Sequence, residues 1–448
     1  MRFTVRYQWG LFLTMLVGMA ACTNNDIAPG GTTGGTTGTP SRGNADFTRY
    51  VAVGNSLTAG FADGGLYRES QLNAYPAMLA GQFKTVGGGD FVQPLFTEAQ
   101  AAGSGYLKLV RVPDPANPIS LITSLAQVAP GAGRGGSSGS GSPLLTKFTT
   151  ANQNLGVPGI RVADLLRVGY GSREGNLYFE RLVDAQSTTY FQYVSDNLSG
   201  ATFYSCWLGN NDALQYATSG GNLPPTATDL FTTNFTAVMN KLAEGGRKGV
   251  VIGIPNIVAT PYFSTITVPL VVAQLKQANP AVSALVIQTA SGVRPTQAGD
   301  LFMLPNALEY TKIGLATAGN GRGQYGLSTT NPLPTQYVLD AGEVALLNAK
   351  ITEFNGIMKA QADAKGAAYV DPNPTLTQLT SAAGLVQNGI TYTGNFIQGG
   401  VYSLDGIHLT PAGYALVANE IIKGINAKYS ATIPQVNPGN YRRVLLQQ

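Results

Sequence analysis

Four short apolar runs constrain this chain most. Tyr50 to Val53, Phe203 to Leu208, Val250 to Ile254 and Ala367 to Val370 each give way to turn residues and then to helical spacing. Runs of that length without polar alternation suit strands buried on both faces, and strands that alternate with helices build a parallel α/β sheet. The strongest helical pattern spans Glu343 to Lys365, where Val344, Leu347, Ile351, Phe354 and Met358 fall on one face and Gly366 can close the end. A second helix is predicted from Thr410-Pro411, a capping residue followed by proline in the first turn, with Tyr414, Val417, Ile421 and Ile425 on its buried face.

Two stretches do not follow this alternation. Residues 131–142 are almost entirely Gly and Ser and are predicted to be a flexible loop. Residues 264–338 carry Pro and Gly at intervals and are predicted to be an insertion capping the sheet, beside another insertion around 85–150.

The first residues have a different character. Arg2 and Arg6 precede an apolar stretch from Leu11 to Val17 and the small-residue ending Gly18-Met19-Ala20-Ala21-Cys22. This reads as a signal segment over residues 1–21. The ending resembles a bacterial lipoprotein box, which implies lipidation of Cys22, a membrane as partner through that lipid, and export to the outer membrane of a Gram-negative cell, on its periplasmic or surface face. The Gly/Thr-rich residues 22–46 are predicted to be a tether with an r.m.s. reach of roughly 25 to 30 Å. Residues 47–448 are then predicted to form a single domain with insertions. Only one cysteine, Cys206, remains after Cys22, so no disulfide framework is available, and its apolar surroundings predict a buried, inert thiol.

Charge excludes one class of partner. Without Arg2 and Arg6 the chain has 26 basic and 24 acidic residues, a net charge of +2 with no basic run, so nucleic acid is not an expected partner. The single histidine, His408, excludes a His-Glu-x-x-His zinc site, and there is neither a phosphate loop nor a dinucleotide fingerprint. No cofactor and no metal are expected.

His408 lies three residues after Asp405 and just before the Thr410-Pro411 helix start. In a turn, this spacing lets Asp405 hold one ring nitrogen while the other faces a hydroxyl. The candidate hydroxyl is Ser56, at the carboxyl end of the first strand, where open α/β sheets bind their ligands. The Gly-x-Ser-x-Gly elbow is absent there because Thr58 stands in the last glycine's place.

Gly54-Asn55-Ser56-Leu57-Thr58, Asn154-Leu-Gly-Val-Pro-Gly159, Gly209-Asn210-Asn211-Asp212 and Asp405 to His408 resemble, in order, the four blocks of SGNH (GDSL-type) hydrolases. The resemblance implies a three-layer, flavodoxin-like α/β sandwich around a central parallel sheet. It also implies a serine esterase with Ser56 as nucleophile, His408 as base and Asp405 as its orienting acid. The backbone N–H groups of Ser56 and Gly159 and the side-chain amide of Asn211 would form the oxyanion hole. The substrate is an ester, with acyl lipids, short-chain acyl esters and O-acetyl groups on glycans all open. Asn55 stands where the family's block usually has Asp, which leaves a second reading: a non-catalytic surface lipoprotein that binds glycan or lipid on a degenerate scaffold.

Overall fold

The computed structural model describes residues 39–114, 118–316 and 323–446. The expected leader, Cys22 and most of the expected tether lie outside the described residues. Residues 39–46, also assigned to the tether, run along the end of the last long helix. Asn44 N–H donates to the Tyr429 carbonyl at 2.8 Å and Ala45 is buried.

The central sheet has five strands: β1 (Tyr50–Gly54), β2 (Asn154–Gly156), β3 (Phe203–Trp207), β4 (Lys248–Ile252) and β5 (Ala368–Val370). Every neighbouring pair is parallel, and the spatial order is β2-β1-β3-β4-β5. The main helices are α1 (Ser56–Ala59), α2 (Tyr75–Lys84), α3 (Asn210–Thr218), α4 (Thr228–Leu242), α5 (Ala341–Ala364) and α6 (Pro411–Tyr429).

Side-chain alternation along the strands feeds two cores. Val51, Val53, Tyr204, Cys206 and Val251 face α4 and α5, meeting Phe231, Phe235, Leu347 and Phe354. Tyr50, Ala52, Phe203, Trp207, Val250 and Ile252 face α2 and α6, meeting Met78, Phe83, Ile421 and Ile425. The result is a three-layer α/β sandwich, with the parallel sheet expected from the buried strand runs and the layering implied by the resemblance. Cys206 lies fully buried in β3, where desolvation pushes its thiol up to about 12.

The helix predicted from Glu343 starts at Ala341, because Asp340 and Glu343 form a reciprocal capping box. Val344 and Val417 are only half-buried, at the margins of their faces. β4 lies two residues earlier than the apolar run Val250 to Ile254 suggests, since Ile254 turns off the sheet and donates its N–H to Asn355 Oδ1 at 2.7 Å. β2 has only three residues and no apolar run to announce it.

The Gly/Ser stretch 131–142 differs from its expectation. Gly133–Ser137 pairs antiparallel with Pro143–Leu145, and Arg134 anchors this hairpin on the buried carboxylate of Glu180. Residues 264–338 contain a helix, Val268–Ala278, and a hairpin of Val286–Thr289 with Gly292–Pro295. They pack on an apolar cluster of their own, with Val271, Leu285, Ile287, Phe302 and Leu333 at its centre. Among the described residues no helix is long and apolar enough to cross a membrane.

Candidate active site

The strand order reverses direction between β1 and β3, and the crevice beyond the carboxyl ends of strands at such a switch point is the natural ligand site of an open α/β sheet. Ser56 follows β1, and Asn210 and Asn211 follow β3. Gly54 makes the turn after β1 possible: a Cβ there would lie 2.0 Å from Thr58 Oγ1 and 2.7 Å from the Trp207 carbonyl. Asn55 caps α1, its Oδ1 accepting from Leu57 N–H at 3.0 Å, and its Nδ2 donates to Asn210 Oδ1 at 2.9 Å. The Asn at this position thus ties the Ser56 turn to the β3 turn through a neutral amide pair.

Ser56 is 7% exposed, and its Oγ lies 2.9 Å from His408 Nε2. The other ring nitrogen, Nδ1, is 2.9 Å from Asp405 Oδ2. Asp405 Oδ2 also accepts from Gly64 N–H at 2.9 Å, and Oδ1 accepts from Ile407 N–H at 2.9 Å and His408 N–H at 2.8 Å. Burial alone would raise this carboxyl, but the His408 ring and these N–H groups outweigh it and hold it well below the usual carboxylate range. An ionised Asp405 accepts at Oδ2 only if Nδ1 carries the ring proton, which leaves Nε2 free to accept from Ser56 Oγ–H. The Phe61 ring lies against the imidazole at 4.6 Å between centroids.

Asn211 lines the same crevice as Ser56 and His408, and its Nδ2 donates to the Ile160 carbonyl at 2.9 Å. Gly159, the residue before Ile160, is exposed with φ +84°, a left-handed conformation that glycine adopts without a steric cost. Among the described residues neither the Ser56 N–H nor the Gly159 N–H donates to another backbone group. Behind this loop, Asp212 Oδ2 accepts from Val162 N–H at 2.7 Å and Oδ1 from Ala163 N–H at 3.1 Å and Thr226 Oγ1 at 2.7 Å. Its burial pushes the carboxyl up to about 6 against the pull of those donors and Arg161.

A cavity of about 50 Å³ opens beside Ser56 and His408, walled by Leu57, Leu214, Pro255, Ile257 and Ile407. Among the described residues no three His, Cys, Asp or Glu side chains are grouped to hold a metal ion. The structure therefore joins Ser56, His408 and Asp405 in one hydrogen-bonded chain and brings Asn211 to the same crevice. Gly159 stands one residue from Asn211's hydrogen-bond partner.

Sequence reasoning gave no role to Asp63, Tyr67, Asp212 or Arg442, nor to the apolar wall. Asp63-Gly64 has the look of a turn signal and nothing more, and Arg442 has no sequence signal at all.

A family model described as GDSL-like lipase/acylhydrolase matches residues 50–421. No curated protein matches the chain. Similar solved structures include LAE5, an alpha/beta hydrolase enzyme from the metagenome of Lake Arreo, Spain, at 12% identity and a TM-score of 0.35, over 86% of this chain and 97% of that one. Another is an extracellular lipase from Streptomyces rimosus, at 13% identity and a TM-score of 0.30, over 86% of this chain and 100% of that one.

Proposed function

The chain belongs to the GDSL-like lipase/acylhydrolase family and is a serine ester hydrolase, and from that premise we propose that Ser56, His408 and Asp405 are its catalytic triad. The observation that carries this reading is the continuous contact from Ser56 Oγ through the imidazole to Asp405, at 2.9 Å on both sides. Ser56 Oγ attacks the ester carbonyl as its proton passes to His408 Nε2. The resulting oxyanion is held by the Ser56 and Gly159 N–H groups and the second amide hydrogen of Asn211. His408 then protonates the departing alkoxide, leaving an acyl-serine. Water enters by the same route in reverse, with His408 taking its proton, and the carboxylic acid leaves.

The acyl group is a short one. The cavity beside Ser56, at about 50 Å³, is a small one. Its wall of Leu57, Leu214, Ile257 and Ile407 suits an alkyl chain of about two to four carbons. Both short-chain acyl esters and O-acetyl groups on glycans meet that description. The Arg2-Arg6 start, the apolar stretch and the Cys22 box support an exported protein anchored through lipid on Cys22, with its domain held off an outer membrane by the tether.

Hydrolysis of p-nitrophenyl esters from acetate to palmitate, by wild type and Ser56→Ala, tests this reading. The expected result is a kcat/KM optimum at two to four acyl carbons that disappears in the variant. An optimum at long chains would remove the short-acyl assignment, and turnover by Ser56→Ala would remove the nucleophile.

A further inference from the structure

The turn that carries Asp405 is gripped from outside by residues distant in sequence. Asp63 lies one residue before Gly64, whose N–H reaches Asp405, and it makes two contacts to that turn and a third to Tyr67. Its Oδ1 accepts from Leu404 N–H at 3.0 Å, its backbone N–H donates to Ser403 Oγ at 2.9 Å, and its Oδ2 accepts from Tyr67 O–H at 2.6 Å. The Asp63 side chain is fully buried and its backbone is left-handed, with φ +53°. L residues rarely adopt that conformation, and Asp is among those that tolerate it best. A carboxylate buried there calls for an opposing charge.

The compensating charge comes from the far end of the chain. Arg442 places its guanidinium 3.5 Å from Asp63 Oδ2, donates to Tyr67 Oη at 2.9 Å and forks onto both oxygens of Glu69 at 2.9 Å. The Arg442 carbonyl accepts from Ala412 N–H at 3.0 Å, in the first turn of α6, just beyond His408. One residue therefore holds both ends of the segment 404–412: its side chain through Asp63 and Leu404, its backbone through Ala412.

We propose that Asp63 and Arg442 are positioning residues for the Asp405–His408 pair, so that the C-terminal segment is part of the catalytic apparatus. The inference rests on the triad reading above. Neither residue touches the reacting atoms. Both set where Asp405 sits relative to the imidazole, and so how completely the ring is held in the Nδ1–H tautomer that leaves Nε2 as base. Tyr67, stacked on Tyr106 at 4.2 Å between ring centroids, carries the contact between the two.

The test compares Asp63→Asn, Arg442→Ala and Arg442→Lys with wild type, with Lys84→Ala at a remote surface ion pair as control. Steady-state kinetics on p-nitrophenyl acetate are normalised by active-site titration. Because His408 is the chain's only histidine, its imidazole nitrogens and its Nδ1 proton can be observed by NMR without assignment. The expected result is a kcat lowered about 10- to 100-fold per active site in Asp63→Asn and Arg442→Ala, with KM within about twofold. The low-field Nδ1 proton should weaken or broaden in both, and Arg442→Lys should recover part of each effect. Unchanged kcat and an unchanged His408 spectrum would overturn the proposal, as would a loss that titration assigns wholly to fewer folded sites. Should Asp63→Asn not fold, Arg442→Ala decides alone: kcat and spectrum both identical to wild type count against it. A wild type inactive on all esters would remove the triad reading, while the His408 spectra would still decide whether Asp63 and Arg442 position the pair.

Discussion

On the His408 side of Ser56, Asp405 already holds the imidazole and receives the N–H groups of Gly64, Ile407 and His408. On the Gly159 side the proposed oxyanion donors are unengaged: among the described residues the Ser56 and Gly159 N–H groups make no backbone bond, and Asn211 donates only one amide hydrogen, to the Ile160 carbonyl. The difference follows from when each side acts. A base must have its tautomer fixed before substrate arrives, so its partners are engaged in the resting enzyme. Oxyanion donors have no partner until the tetrahedral oxygen forms, and a resting bond would have to break at that moment. Behind each side stands one buried carboxylate, Asp63 under the Asp405 turn and Asp212 under the Gly159 loop.

If the engaged side matters through the charge and tautomer it imposes, Asp405→Asn should lower kcat about 10⁴-fold while leaving the protein folded, measured on a short-chain ester. A loss under tenfold would mean that the imidazole is held well enough without it. The waiting side should cost less. Asn211→Ala is expected to lower kcat about 10²- to 10³-fold with little change in KM. A change confined to KM would show that the amide binds substrate and transition state alike.

The two sides also differ in their response to pH. Asp405, held below its ordinary value of 3.8, adds stability that is present above that pH and is lost as the pH falls through its lower folded value. Asp212 has the opposite sign. Its folded value of about 6 lies above the 3.8 of an unperturbed carboxyl, so its contribution is full below pH 3.8 and is lost as the pH rises through 6. The urea midpoint of wild type should therefore fall relative to that of Asp212→Asn between about pH 4 and 7. A constant gap between the two would mean that Asp212 is ionised throughout. The smallest effect belongs to the link between the sides. Asn55→Asp should leave kcat/KM within about threefold, because the Asn210 amide can turn its NH₂ toward the new carboxylate. A gain beyond tenfold would show that Asn55 weakens this enzyme relative to an Asp at that position.

Much of this architecture was legible in the sequence because its signals are local. The buried runs gave four of the five strands, and Thr410-Pro411 marked the start of α6. Ser56 and Asn211 lie within short motifs at strand ends, and Asp405 and His408 in one just before a helix start, where turn chemistry restricts the residues that fit. β2 escaped because a three-residue strand, Asn-Leu-Gly, has no period to read. The hairpin at 133–145 escaped because it is anchored by Arg134 reaching Glu180, a contact across 46 residues that a local Gly/Ser pattern does not record. Asp63 and Arg442 escaped for the same reason: their meaning depends on a pairing across most of the chain, which no local pattern records.

A fluorophosphonate probe tests directly whether Ser56 is the nucleophile poised by His408. Wild type should take up one probe per chain, on the peptide containing Ser56 by mass spectrometry, and lose esterase activity in proportion. His408→Ala should label far more slowly. Label on another serine, or turnover that survives full modification of Ser56, would contradict that role.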